Sequence, residues 1–207
     1  MGQLITWTIS LVWSIYLPRY IGATNMGRLA IATAIWAVMS SIINTGTSTH
    51  LTTEIARYPQ KATELLGTAL IQRYLIFLVC CFLVIPYVYI MQYSRETIIL
   101  ICIVAATMPA ANTITTLNAV FQGREIMQYI SIIDIFSKGL TLILSFVFMW
   151  IGLGVNEIVA ITIVVSGLAV AIQIFILRQY MPLRFTCNRV LFFDMLRRSR
   201  PYFAGSM

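Results

Sequence analysis

Residues 16–57, YLPRYIGATNMGRLAIATAIWAVMSSIINTGTSTHLTTEIAR, decide how the rest of the chain is read. An apolar segment ends at Pro18 and Arg19, and the chain turns through Gly22 and Gly27. An uncharged run then continues to Ser48 and gives way to a polar, charged segment. The same phrase recurs to either side: apolar run, short polar turn, apolar run. Hydrophobic residues make up 59% of the chain and charged residues only 10%, with a mean hydropathy of +0.87. Soluble domains carry about 25% charged residues, so this chain has too little polar surface to cover itself in water. Runs of roughly 20 apolar residues match the hydrocarbon thickness of a bilayer in helical rise. Lipid offers no partner to backbone N–H and C=O, so such runs are helices or barrel strands. The short alternating segments of a barrel are absent from the sequence, which predicts an all-α, polytopic transmembrane helical bundle.

Six runs are expected to span: residues 4–17, 29–48, 67–91, 97–121, 129–151 and 158–177. The first is short, and no lysine or arginine precedes Arg19 to make the basic start of a secretory signal; it reads as a helix lacking its first turns. Between the second and third runs lies HLTTEIARYPQKATELL, where Pro59 is expected to separate two short helical pieces. Residues 1–178 thus form a six-helix lobe. Residues 179–200 are basic and amphipathic and are expected to lie in the cytoplasmic membrane interface. Residues 201–207 read as the start of a seventh span, cut off.

The net charge of +7 points to topology rather than to nucleic acid, because basic residues in membrane proteins gather on the cytoplasmic side. With the amino end cytoplasmic, the inner side holds Arg57, Lys61, Arg73, Arg124, Lys138, Arg178, Arg184, Arg189, Arg197, Arg198 and Arg200. The outer side holds only Arg19, Arg28 and Arg95 out of fourteen basic residues. The expected location is the inner (plasma) membrane, crossed several times.

No pair or cluster in the sequence has catalytic or metal-binding spacing, and no cofactor is implied. The four cysteines, Cys80, Cys81, Cys102 and Cys187, form no metal-like pair, and the single histidine, His50, is expected at the membrane edge. The polar groups inside the runs carry more information, because a charge at mid-bilayer costs roughly 2.5–3.5 kcal/mol on insertion scales. Arg73, Asp134 and Lys138 are the candidates. Each is expected within two turns of the cytoplasmic helix end, where it can snorkel to the interface, and Asp134 and Lys138 can pair at i, i+4. Arg19 would either snorkel or bind a lipid phosphate or an anionic substrate. Asn44, with Thr45, Thr47, Ser48 and Thr49, would line an aqueous cavity or bond between helices. Pro86 and Pro109 are expected to bend their helices.

The opening stretch resembles the start of the polysaccharide biosynthesis flippases, which include the O-antigen repeat-unit flippases of the multidrug/oligosaccharidyl-lipid/polysaccharide exporter superfamily. Arg19, Tyr20 and Gly22 match the family's first element and Gly27 the next. Gly46, Ser48 and Thr49 match an "lGlst" element, and Glu54, Ile55, Ala56 and Arg57 a closing "Reiar". FQGREIMQYISIIDIFSKGLTLILSFVFMWIGLG resembles a second family stretch through Gln122, Gly123, Tyr129, Ser137 and Lys138. Asn44 departs from the pattern by standing where members often carry an acidic residue. The resemblance implies twelve to fourteen helices in two pseudo-symmetric lobes, so the chain would be the amino-terminal lobe of a longer protein whose carboxy-terminal lobe is missing. It further implies flipping of lipid-linked oligosaccharide by alternating access, with membrane lipids around the bundle and no nucleic acid. An anionic diphosphate favours cationic groups, which makes Arg19, Arg73 and Lys138, with Asn44, the expected substrate-binding residues. Alternatives are a cation-coupled drug exporter or a peptidoglycan-precursor flippase of the same superfamily. A membrane glycosyltransferase or polysaccharide ligase would need a large extramembrane loop.

Overall fold

A computed structural model describes residues 2–44 and 47–180. These residues form six α-helices and no strand: α1 (Gly2–Asn44), α2 (Thr47–Arg57), α3 (Ala62–Ile90), α4 (Arg95–Gly123), α5 (Gln128–Ile151) and α6 (Val155–Tyr180), with a 3₁₀ turn at Pro59–Lys61. Five helical stretches among the described residues are long and apolar enough to cross a membrane, which makes the chain a helical membrane protein. The expected count of six spans plus a seventh is not what these helices show. The first run and the second as far as Asn44 fall within the single α1, and the seventh span and the interfacial segment lie outside the described residues.

α1 is nevertheless not straight. Gly22 sits at φ 77°, ψ 166° inside it, a conformation reserved for glycine because a Cβ would strain the backbone. The two limbs pack on different partners. Before Gly22, the ring of Tyr16 meets Phe146 of α5 edge-on at 5.3 Å between centroids, and the Tyr20 hydroxyl donates to Leu153 O at 2.9 Å. After Gly22, Arg28 pairs with Glu96 at the start of α4, and Trp36 Nε1 donates to Ile101 O at 3.0 Å. The first limb therefore runs alongside α5 and the second alongside α4. Because α4 and α5 are antiparallel across the turn at residues 124–127, the chain doubles back at Gly22.

This arrangement defines two ends. One collects Gly22, Arg28, the α3–α4 turn and the α5–α6 turn, and a cleft there is lined by Asn25, Arg28, Glu96, Gly154 and Asn156. The other is the α2 end. Proline at position 59 has no N–H to donate; it stops α2 after Arg57 and begins the 3₁₀ turn, so α3 starts at Ala62, five residues ahead of its apolar run. α2 lies against α4, where Gly123 permits the approach. A Cβ at Gly123 would come within 2.9 Å of Ile55 Cβ and 3.0 Å of Thr52 O. Arg124 Nη2 closes this end by donating to Pro59 O at 3.1 Å.

The apolar core is split by depth. Leu51, Ile55, Leu65, Leu66, Leu117, Phe121 and Leu177 pack together at the α2 end. Leu17, Trp36, Val84, Leu100, Val104 and Ile158 pack together at the Gly22 end. Pro18, Pro86 and Pro109 all lie inside helices that continue past them.

Candidate functional site

Polar side chains at membrane depth fall into two groups with opposite character. The first surrounds Arg73. Starting α3 at Ala62 places Arg73 about 16 Å along the helix axis at 1.5 Å rise per residue, deeper than its apolar run suggests. It does not snorkel: its exposure is 0%. Nη1 donates to Asn112 O at 3.1 Å and to Thr116 Oγ1 at 2.8 Å, both on α4, and Nη2 donates to Ser48 Oγ of α2 at 2.7 Å. Each partner is neutral. A buried cation is tolerated only when hydrogen bonds replace its hydration, and here they come from two other helices. Arg73 therefore ties α2, α3 and α4 together. Its neighbour Gln72, also buried, has neither amide atom partnered.

The second group is built on α5. Ser131, Asp134, Lys138, Thr141 and Ser145 recur at the spacing that stacks side chains on one helical face, giving a membrane helix a polar stripe. Lys138 lies about 15 Å from the start of α5, close to mid-helix, and is half-buried rather than extended to an interface. Asp134 is exposed, and the expected ion pair between the two is not formed; the ion pair among the described residues is Arg28–Glu96. Lys138 instead stands between two cavities. One of about 220 Å³ is walled by Ile114 of α4, by Ile133, Asp134, Ser137, Lys138 and Thr141 of α5, and by Thr162, Val165, Ser166, Ala169 and Gln173 of α6. The other, of about 110 Å³, lies on the α1 side among Ser10, Trp13, Lys138 and Thr141. Lys138 and Thr141 line both, so the two cavities lie on either side of these side chains, and the larger one, toward α6, is a polar trough.

Two polar atoms of this region are unmet. Gln173 is 2% exposed; its Nε2 donates to Asn118 Oδ1 at 2.9 Å, but its Oε1 has no partner. Ser145, wholly buried, also has an unpartnered oxygen. Buried polar atoms are almost always bonded, so the orphaned carbonyl of Gln173 on a cavity wall marks a place where a ligand or water is accommodated. The stripe was present in the sequence as Ser131, Thr141 and Ser145 around the two charges. Sequence reasoning stopped at the charges because neutral hydroxyls in an apolar run draw no attention singly.

The remaining candidates are apart from the trough. Arg19 is exposed at the Gly22 end on an open groove of about 670 Å³, with Tyr16, Tyr20, Phe146 and Trp150 around it. Asn44 is half-buried at the end of α1; its Nδ2 donates within its own helix to Ser40 O at 2.9 Å and Ser40 Oγ at 3.1 Å, while Oδ1 is unpartnered. It bonds to no other helix. His50 is buried in α2. The four substrate-binding candidates thus occupy separate places: Arg19 at one end, Asn44 at the other, Arg73 sealed inside, and Lys138 in the trough. Among the described residues no group of acidic, histidine and cysteine side chains is placed to hold a metal ion, and Cys80, Cys81 and Cys102 are unpaired.

No match is found among curated proteins or among solved structures. A family profile does match, however, and it extends over residues 1–207; its description is polysaccharide biosynthesis protein. A bundle of membrane-length helices with a polar trough at mid-depth is therefore a member of the polysaccharide biosynthesis protein family.

Proposed function

We propose that this chain serves a transporter that flips lipid-linked oligosaccharides, polyprenyl-diphosphate repeat units, across the inner membrane for polysaccharide biosynthesis. The observation that carries the reading is the family match over residues 1–207, made on a chain whose helix α5 carries a polar stripe at membrane depth. A substrate with a polar head and a polyprenyl tail needs such a path: the head crosses against polar groups while the tail stays in lipid. In this reading α1 makes two passes joined at Gly22, for six in all. The amino end is cytoplasmic, since Arg57, Lys61, Arg124 and Arg178 cluster at the α2 end and basic residues favour that side. Rocking of two lobes about a central site would alternate its access.

Lys138 and Arg19 are the cations best placed for an anionic head group, one in the trough and one at the outer groove. Asn44 contributes at the inner mouth of the bundle. Arg73 contributes by holding the helices together, since its charge meets no open space. The test uses the full-length gene product reconstituted in vesicles with a labelled polyprenyl-diphosphate oligosaccharide. Transport of the head group across the bilayer is expected, and a preparation that leaves the substrate in its original leaflet overturns the reading. In cells, Lys138→Ala or Arg19→Ala is expected to lower surface polysaccharide at unchanged protein level. Wild-type polysaccharide in both variants would remove these residues from the site.

A further inference from the structure

The trough among α4, α5 and α6 is closed differently at its two ends. On each helix one face leads from the trough wall toward the α2 end. On α5, Thr141, Ser137 and Ile133 continue one turn further to Tyr129. On α6, Ser166, Ala169 and Gln173 continue two turns to Tyr180, and on α4, Ile114 leads through Asn118 to Phe121. Spacings of three, four and seven residues keep each set on one side of its helix. The three faces meet where they end. The Tyr129 and Tyr180 hydroxyls are hydrogen-bonded to each other at 3.0 Å, with ring centroids 6.1 Å apart, and the ring of Phe121 lies 6.4 Å from that of Tyr129. Between these rings and the trough is one further tie, Gln173 Nε2 to Asn118 Oδ1, which joins α6 to α4 and leaves α5 out.

Toward the Gly22 end the closure is apolar. Ile158 and Val159, one turn before Thr162, are buried in a cluster with Leu100 and Val104 of α4, and Phe148 of α5 packs on it. Parting the helices there strips apolar side chains of close neighbours. At the α2 end α5 is held more lightly. Its buried residues are Ile133 and Ser145, whereas α6 has seven. Tyr180 is 44% exposed and Tyr129 half-buried, so water can take over either hydroxyl once the pair parts, and a hydrogen bond that water replaces has a small net value. α4 and α6 remain tied by Asn118 and Gln173 and by the buried packing of Phe121 and Leu177. The turn that enters α5 has to follow any movement of it. Glu125 in that turn holds φ 61°, a conformation that a side chain disfavours, so leaving it carries little penalty.

We propose that Tyr129 and Tyr180 form a latch on the trough. While the hydroxyls are joined the trough is shut at the α2 end; when they part, the Tyr129 end of α5 swings out and water reaches Ser137, Ser166 and the open carbonyl of Gln173. The latch goes beyond the transporter reading and needs no substrate, so either can fail without the other.

Labelling of a cysteine on the trough wall tests this. Ser166→Cys is introduced into the full-length protein with Cys80, Cys81, Cys102 and Cys187 changed to serine, and the purified protein is reacted in detergent with a charged methanethiosulfonate. The same background carrying Ala32→Cys, at a wholly buried position after Gly22, is the control. Tyr129→Phe and Tyr180→Phe keep the rings and remove one hydroxyl each. Either is expected to speed labelling of Ser166→Cys about fivefold, the effect of one water-exposed hydrogen bond on an opening equilibrium. The double variant is expected to do no more than either alone, since both remove the same bond, and labelling of Ala32→Cys to stay as it was. Unchanged rates in both single variants overturn the proposal. So does a rise of about 25-fold in the double, which makes the two hydroxyls independent, or an equal rise at Ala32→Cys, which makes the effect a loosening of the whole bundle. Hydrogen exchange on protein that keeps its native cysteines gives a second reading: Tyr180→Phe is expected to speed exchange in the first turns of α5 and to leave α4 unchanged, and the same exchange in α5 as in the parent protein overturns the latch.

Discussion

Arg73 and Lys138 are both cations on apolar helices, about 16 and 15 Å from the starts of α3 and α5, yet the structure treats them in opposite ways. Around Arg73, three helices close until no surface remains, and both terminal nitrogens have partners. Around Lys138, the helices leave a trough whose oxygen atoms face outward from their own hydrogen bonds. A buried charge that is met by its own protein is a framework element. A charge that borders open cavities is the candidate for binding. Depth along the helix, which both share, does not separate the two; Arg73 Nε and both amide atoms of Gln72 also lack partners, so the difference is enclosure, Arg73 being sealed among three helices while Lys138 borders two cavities.

Four substitutions try this contrast, in order of expected effect. Arg73→Ala removes the bonds to Asn112 O, Thr116 Oγ1 and Ser48 Oγ and empties the space among α2, α3 and α4. It is expected to cost about 3 kcal/mol of stability, in the range for losing bonds to a buried charge, seen as a lowered melting temperature in detergent. An unchanged melting temperature would break the comparison at its root. Gly123→Val drives a side chain into Ile55 and Thr52 O, where overpacking costs about 1–3 kcal/mol. It is expected to lift α2 and expose the bond after Arg57 to trypsin; wild-type cleavage would show that α2 is not held by this contact. Lys138→Ala is expected to leave stability unchanged and lower transport about tenfold, equivalent to about 1.4 kcal/mol. A large loss of stability with it would make Lys138 a second Arg73. Arg19→Ala, exposed on its groove, is expected to have the smallest effect, a reduction in transport of about threefold, or under 1 kcal/mol. Equal loss for Arg19 and Lys138 would sharpen the contrast differently, giving the groove the same standing as the trough.

Much of the architecture was legible in residue order. The runs and the break at Pro59 follow from hydropathy and from the missing N–H of proline, and α4, α5 and α6 stand close to where those signals put them, whereas the piece after Pro59 is the first part of the long α3 rather than a short helix. Gly22 was read as a turn residue, and it is the one non-helical position inside α1. The count of spans was not reproduced, because the apolar runs on either side of Gly22 form one kinked helical stretch and five stretches of membrane length stand among the described residues. Snorkelling failed for Arg73 because it was judged against the apolar run, whereas α3 begins five residues earlier and α2 covers its first turns. The Asp134–Lys138 pair was permitted by spacing alone, but spacing places two side chains on one face without making them meet. The trough was half legible: Ser131, Thr141 and Ser145 mark the stripe, but the α6 side of it, Thr162, Ser166 and Gln173, only joins through packing.

By itself the sequence determined that this chain is a bundle of membrane helices, where those helices break, and the family to which it belongs. These are properties of runs and motifs, set by the cost of apolar surface in water and of unpaired backbone in lipid, and they need no knowledge of which helix lies beside which. Only the tertiary structure decided which polar side chains are enclosed between helices and which border a cavity. That decision depends on whether the acceptors within 3 Å or so of a group come from a neighbouring helix or are left open, and neighbours distant in sequence are fixed by packing. Arg73 found its partners 39 and 43 residues away on α4; the carbonyl of Gln173 found none.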